Sequence, residues 1–170
     1  MYPSVVDRYF QKFYHVGKAN EDLCILAHSN RICLVTLVPD HKALSEGPIT
    51  SVSYVINGKD LGAENKVHGK KKLDAFKVYP ETNICEIVSG AGNKYTIKSG
   101  VFGKLCETNV NLLKDTTILD KMPETNGYIA IILHKFGTDI CSNLLTEEQY
   151  LQSKKQGKTE YDSIIQESVT

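Results

Sequence analysis

Three groups of residues in this chain have the types and spacing for chemistry: Cys24, His28 and Cys33; Lys94 behind a glycine-rich turn; and the run Lys66, Lys70, Lys71, Lys72. The first group invites a metal reading. Zinc wants three or four ligands converging tetrahedrally, commonly from Cys-x2-Cys units. Cys-x3-His-x4-Cys across a turn is not that spacing, and no fourth ligand is defined. The cysteines read instead as small buried apolar residues, and His28 as a group that satisfies backbone atoms in a tight turn with Ser29, Asn30 and Arg31. The second group, Gly90-Ala91-Gly92-Asn93-Lys94, lacks the spacing of a Walker A loop and the helix that must follow one. Its glycines read as turn residues that tolerate positive φ. There is no Gly-x-Ser-x-Gly elbow and no His-Glu-x-x-His pair, and His134 reads as a strand-end surface residue. The expectation is a protein without catalytic residues, metal or cofactor.

The elements that must position these residues are mostly short strands. Leu23 to Ala27 and Ile32 to Val38 are β-rich runs around the turn His28–Arg31, which reads as a hairpin. Thr50 to Ile56 alternates and ends at Asn57-Gly58, a turn dipeptide. Leu73 to Tyr79 is a strand candidate. Ile84–Val88 and Lys94–Lys98 flank Ser89–Asn93 as a central hairpin. Leu105 to Val110 continues a strand, and Asn111 to Met122 reads as a loop or one-turn helix. Gly127 to Leu133 is the strongest strand, apolar enough to be buried on both faces. Ser4-Val5-Val6-Asp7 has a helix-start form, and Val6, Phe10 and Phe13 recur at helical spacing, predicting a helix from about Val5 to Tyr14. Thr146-Glu147-Glu148-Gln149 fits a capping box and opens a second helix, with Tyr150 and Leu151 facing the body. One domain over residues 1–156 with a polar, disordered tail over 157–170 is expected.

A tetrad occurs twice: Val67-His68-Gly69-Lys70 and Val101-Phe102-Gly103-Lys104, thirty-four positions apart. Two similar halves around a central hairpin resemble the biotinyl/lipoyl hammerhead, a barrel-sandwich hybrid in which a lysine at the hairpin tip holds the prosthetic group. Registering the hairpin from Ile97 and Lys98 places that acceptor near Gly92, so the lysine is missing. Lys94 lies two residues away and reads as a solvent-facing strand residue. The stretch Gly103–Asn109, Met122-Pro123, Gly127-Tyr128-Ile129 and Leu144–Tyr150 resembles the C-terminal half of glycine cleavage H proteins.

A closer resemblance covers about residues 5 to 152. Val6-Asp7-Arg8-Tyr9-Phe10, Cys24–Cys33 with its His-Ser-Asn-Arg-Ile-Cys string, Asn65-Lys66-Val67-x-Gly69-Lys70 and Gly127-Tyr128-Ile129-Ala130 resemble the Abitram (Simiate) family. That resemblance implies a hammerhead-like β fold without enzymatic activity. It also implies actin as partner, an effect on actin polymerization and on filopodia and neurite dynamics, and a presence in nucleus, nuclear speckles, cytoplasm and cell projections. The alternatives are a lipoyl- or biotinyl-carrier-derived subunit and a nuclear scaffold associated with RNA processing.

Bulk composition narrows these classes. The chain has 170 residues, with 41% hydrophobic and 24% charged residues, which suits one soluble domain with a proper core. Lys+Arg and Asp+Glu are both 20, so no global field favours nucleic acid or an acidic membrane. No apolar run approaches the ~18 residues needed to span a bilayer, and the N-terminus lacks a signal-peptide pattern. Five cysteines without a framework suit a reducing compartment. The one concentrated basic feature is Lys66, Lys70, Lys71 and Lys72, expected to steer the protein to an acidic partner such as actin. Nucleic acid is disfavoured there because no aromatic lies inside the run for stacking.

Overall fold

The computed structural model describes residues 8–17, 21–61, 77–134 and 144–155. Strands dominate, in chain order β1 (Phe10–His15), β2 (Leu23–His28), β3 (Ile32–Leu37), β4 (Ser51–Ser53), β5 (Val55–Ile56), β6 (Lys59–Asp60), β7 (Lys77–Val78), β8 (Asn83–Val88), β9 (Lys94–Lys98), β10 (Gly103–Thr108), β11 (Ala130–His134) and β12 (Leu145–Thr146). Short helices interrupt them: α1 (Lys42–Ser45), α2 (Asn111–Lys114), α3 (Ile118–Lys121) and α4 over residues 147–155. An antiparallel seven-stranded sheet has the order β12-β1-β2-β3-β11-β10-β7. A three-stranded sheet, β4-β8-β9, faces it, and β5-β6 form a small ribbon closed by Asn57-Gly58, both at positive φ. The fold is mostly β, as expected, and the central hairpin sits where the sequence placed it.

One core fills the space between the two sheets. Ile25, Val35 and Ile132 from the large sheet meet Val52, Ile87 and Ile97 from the small one. A second cluster lies on the outer face of the large sheet, where Cys24, Leu26 and Val38 pack with Tyr150 of α4. β2 therefore alternates between two apolar environments and reads as a continuous hydrophobic run. The capping box holds α4 in place: the Thr146 N–H donates to Gln149 Oε1 at 3.0 Å and the Gln149 N–H to Thr146 Oγ1 at 3.3 Å. Tyr150 stacks on Tyr14 at 4.2 Å, and its hydroxyl donates to the buried Asp22 carboxylate at 2.7 Å. Lys154 Nζ lies 3.3 Å from the same carboxylate.

Three expectations need correction. Arg8 and Tyr9 are helical, but Phe10–His15 is a strand paired to β2, so the helix expected as far as Tyr14 does not extend past Tyr9. Phe13 faces the main core while Phe10 and Tyr14 face the outer cluster, and this two-sided burial imitates helical spacing. β11 begins at Ala130 rather than Gly127, and Ile131 and Leu133 are only half-buried. Leu151 is 55% exposed, because it sits one residue around α4 from the docked Tyr150. The expected tail over 157–170 and the first tetrad with its lysines lie outside the described residues.

The loop between β10 and β11 is pinned from below by a buried polar knot. The Tyr54 hydroxyl donates to the Ile129 carbonyl at 2.6 Å and accepts from the Asn109 N–H at 3.2 Å. The Asn109 side-chain amide in turn donates to the carbonyls of Asn126 and Tyr128, each at 2.7 Å. Every buried polar atom named here has a partner, which is the condition for a polar group to be tolerated in a core.

Candidate functional site

Two regions concentrate the residues that sequence reasoning singled out. The first is the tip of the β8–β9 hairpin. Pairing of Val88 with Lys94, and the Ser89 N–H to Asn93 carbonyl bond of 2.9 Å, leave the three-residue loop Gly90-Ala91-Gly92. The Gly92 N–H donates to the Ser89 carbonyl at 3.0 Å, and Gly92 lies at φ +85°. This is a type I turn closed by a residue in the left-handed region, where glycine is favoured. The acceptor position of a carrier thus falls on a residue whose backbone resists any L side chain. Lys94 is an exposed strand residue in regular register, as its sequence suggested.

The tip does not stand free. Glu46, at the end of α1, reaches across and collects its donors: Ser89 Oγ at 2.7 Å and Asn93 Nδ2 at 2.9 Å on Oε2, with the Tyr95 hydroxyl on Oε1. Hydrogen bonds from Tyr95, Asn93 and Ser89, in that order of effect, pull the Glu46 carboxyl down to about 2. The same bond pushes the Tyr95 phenol up to about 12. The backbones touch as well: a Cβ on Gly90 would come within 2.9 Å of the Glu46 carbonyl. α1 is itself capped by the buried His41, whose Nδ1 accepts from the Ala43 N–H at 3.1 Å. Burial pulls the His41 imidazole down to about 4, so it is neutral at pH 7 and its ring proton sits on Nε2. Sequence reasoning missed both Glu46 and His41, which lie between the runs Ile32–Val38 and Thr50–Ile56 in a segment with no recognisable motif.

The second region surrounds the second tetrad. Val101 is buried in the core, and Gly103 marks a close approach of backbones, since a Cβ there would lie 2.2 Å from the Leu133 carbonyl. Phe102 and Lys104 flank it and line a cavity of about 360 Å³ together with Arg31, Lys77, Leu133 and His134. Lys104 and Lys77 are directly opposite one another across β10 and β7. Tyr79, 55% exposed, packs its ring on Phe102 at 5.0 Å. Arg31 stands at φ +70° in the β2–β3 turn. His134 ends β11, as the sequence suggested, but faces this cavity half-buried. A further cavity of about 320 Å³, lined by His15, His41, Glu81 and Lys98 among others, supplies its own counter-charges: Glu81 bonds Lys98 and lies 3.5 Å from His15 Nε2.

The other sequence candidates do not gather into a site. Cys33 belongs to the main core and Cys24 to the outer cluster, so they occupy opposite faces of the large sheet. His28 does what the turn reading expected: its Nδ1 accepts from the Asn30 N–H at 3.2 Å. No group of metal-ligating side chains converges among the described residues. No helix among them is long and apolar enough to cross a membrane. Lys66, Lys70, Lys71 and Lys72 lie outside the described residues.

With this geometry established, comparison with known proteins gives two results. Protein Abitram of Homo sapiens is 44% identical over 154 residues, covering 87% of this chain and 85% of that protein. Protein Abitram of Drosophila melanogaster is 38% identical over 167 residues, covering 95% and 77%, and that of Dictyostelium discoideum is 26% identical over 135 residues, covering 76% and 74%. Among solved structures, the glycine cleavage system H protein of Mycobacterium marinum matches with a TM-score of 0.58 at 12% identity, over 84% of this chain and 96% of that one. The structural likeness shows the fold, that of a lipoyl-carrier-like hammerhead. No protein-family model matches the chain.

Proposed function

This chain belongs to the Abitram family, and from that premise we propose that it is a non-enzymatic, actin-binding regulatory protein on a carrier scaffold that has lost its arm. The observation that carries the reading is the fastened hairpin tip. A swinging-arm carrier needs a lysine that projects from a free tip. Here a glycine at φ +85° occupies that place, and Glu46 ties the tip down through Ser89, Asn93 and Tyr95. These features support a scaffold that binds rather than carries. Actin is the partner that family membership suggests, with effects on its polymerization and on filopodia and neurites, in the nucleus, including speckles, as well as the cytoplasm and cell projections.

In this proposal docking is electrostatic. Lys66, Lys70, Lys71 and Lys72 supply the only concentrated positive run in a chain of zero net charge, and an acidic protein surface is the complementary partner. Actin co-sedimentation of wild type and of a variant with Lys70→Glu, Lys71→Glu and Lys72→Glu tests it. Wild type should pellet with filaments or deplete free monomer, and the variant should lose at least about tenfold in affinity, as expected when charges oppose at an interface. Unchanged binding by the variant removes the lysine assignment. No interaction of wild type with either form of actin removes the actin reading.

A further inference from the structure

We propose that the free edge of β9 takes an extended peptide of a partner protein as a further strand, with acidic side chains beside Lys94 and an amide side chain inserted to the Nε2–H of His41. The surface is distinct from the lysine run invoked for actin, and the inference stands whether or not actin binds.

β9 ends the sheet β4-β8-β9, and no strand among the described residues pairs with its outer side. An antiparallel ladder bonds alternate residue pairs. Ser89 and Asn93 are a bonded pair at the tip. In the register of this hairpin the next bonded pairs are Ile87 with Tyr95 and Cys85 with Ile97. Lys94 and Thr96 therefore turn their N–H and C=O groups away from β8. Unpaired backbone donors and acceptors along an edge are a template for another strand.

The cavity of about 320 Å³ lies beside this edge. Thr96, Ile97 and Lys98 line it from β9, and Leu23 and Glu21 line it from β2 and the residues before it. His41 contributes a polar group that the fold leaves open. Its one side-chain hydrogen bond among the described residues is at Nδ1, which accepts from the Ala43 N–H. No fully buried side-chain nitrogen or oxygen among those residues lacks a partner. The 1% of its surface that His41 keeps is accordingly at Nε2, where the ring proton sits. A donor on a residue this deeply buried calls for an acceptor.

Charge selects the peptide. Glu21 and Glu81 also line the cavity, so an inserted carboxylate would meet like charge. An amide offers its carbonyl to His41 and its NH2 to those carboxylates. The volume is at the small end of ligand clefts, suited to one side chain with its backbone. On the outer face Lys94, Thr96 and Lys98 are in line, and Glu81 already holds Lys98. Lys94 is exposed there and is complementary to an acidic neighbour. The same lysines oppose pairing of β9 with a second copy of itself, since like charges would meet across the new ladder.

The test is a titration of the ¹⁵N-labelled full chain with acetyl-Thr-Val-Glu-Gln-Glu-Val-Thr-amide, which as a strand sets glutamine and valines on one face and glutamates on the other. Shifts at Lys94, Thr96 and Lys98 should saturate, and the Thr96 N–H should gain exchange protection. The His41 Nε2–H resonance should move with this peptide and not with one carrying leucine for glutamine. Thr96→Pro removes the outward donor and no ladder bond, a change that edge strands accept, and should weaken binding about tenfold. Lys94→Glu, on the exposed face, should weaken it severalfold, and a peptide with lysines for both glutamates should restore binding to that variant. No binding at millimolar peptide, shifts confined to other surfaces, or affinity unchanged in both variants would overturn the strand addition. An unmoved His41 resonance would overturn the amide anchor. Thr96 protection that rises with protein concentration in the absence of peptide would give the edge to a second copy and overturn the peptide partner.

Discussion

Two hairpins in this molecule close with the same turn and fill its critical position differently. In β2–β3 the pairing of Ala27 with Cys33 leaves Ser29-Asn30-Arg31 as a three-residue loop, with the Arg31 N–H on the His28 carbonyl at 3.1 Å. In β8–β9 the loop is Gly90-Ala91-Gly92, with the Gly92 N–H on the Ser89 carbonyl at 3.0 Å. The left-handed residue is Gly92 at φ +85° in one and Arg31 at φ +70° in the other. The β8–β9 tip is tied to Glu46, an anion of the protein's own. The β2–β3 turn sends Arg31 to the lining of the cavity it shares with Lys77, Phe102, Lys104 and His134. The hairpin that a carrier would use is fastened by a carboxylate of the chain, and the other holds an arginine where the backbone favours glycine.

The comparison assumes that both hairpins belong to one cooperative unit, and the largest predicted effect tests that. Ile25 of β2 and Ile97 of β9 are nearly inaccessible and share the main core. Ile25→Ala and Ile97→Ala should each destabilise the whole domain by about 2–5 kcal/mol. Denaturant unfolding followed by hydrogen exchange should show both hairpins losing protection together in each variant. If Ile97→Ala loosens β8–β9 and leaves β2–β3 at wild-type protection, the two turns are not parts of one unit.

Acid should separate the two regions, with the next largest effect. The clasp on β8–β9 depends on α1, which His41 caps. An unfolded imidazole binds its proton near 6.5, whereas buried His41 binds it only near 4. Between these values the unfolded chain holds more protons, so stability falls as the pH drops from about 6.5 to about 4. Above 6.5 the contribution is complete, at up to about 3 kcal/mol. Glu46, held down to about 2, adds a loss only below the ordinary carboxylate range, near 4.5. Exchange protection at Ser89 and Asn93 should therefore fall across the imidazole window before it falls at Arg31 and Ile32. His41→Gln should flatten the slope between pH 6.5 and 4, and an unaltered slope would assign the acid sensitivity elsewhere.

What could be read in the sequence follows how local each signal is. The capping box at Thr146, the turn at Asn57-Gly58 and both hairpins are encoded within a few residues, and the structure has them. β1 imitates a helix in sequence because α4, far along the chain, buries its second face. Phe10, Phe13 and Tyr14 therefore lost the alternation that marks a strand. The clasp was illegible because Glu46 is forty-three positions from Ser89 in sequence. The cavity was illegible for the same reason, since Arg31, Lys77, Phe102 and His134 come from four segments that only the large sheet brings together. The repeated tetrad pointed to the right fold, but its second copy does different work from a carrier motif: Gly103 allows backbone contact while Phe102 and Lys104 face the cavity.

The smallest effects bear most directly on the two turns, because they exchange what distinguishes them. Gly92→Lys restores the acceptor lysine of a carrier at a position with open space around its Cβ, so only the backbone conformation resists it. It should cost about 1–2 kcal/mol from the left-handed φ. Arg31→Gly relieves the same kind of strain at φ +70°. The freer unfolded glycine offsets part of that relief, so stability should change by less than about 1 kcal/mol, in the stabilising direction. Opposite signs for the two substitutions, measured by urea unfolding at one pH, would show that both turns obey one backbone rule and that Arg31 is retained for its side chain. A loss of several kcal/mol in Arg31→Gly would instead make the guanidinium a structural strut, and the two turns would then differ in side-chain anchoring rather than in backbone strain.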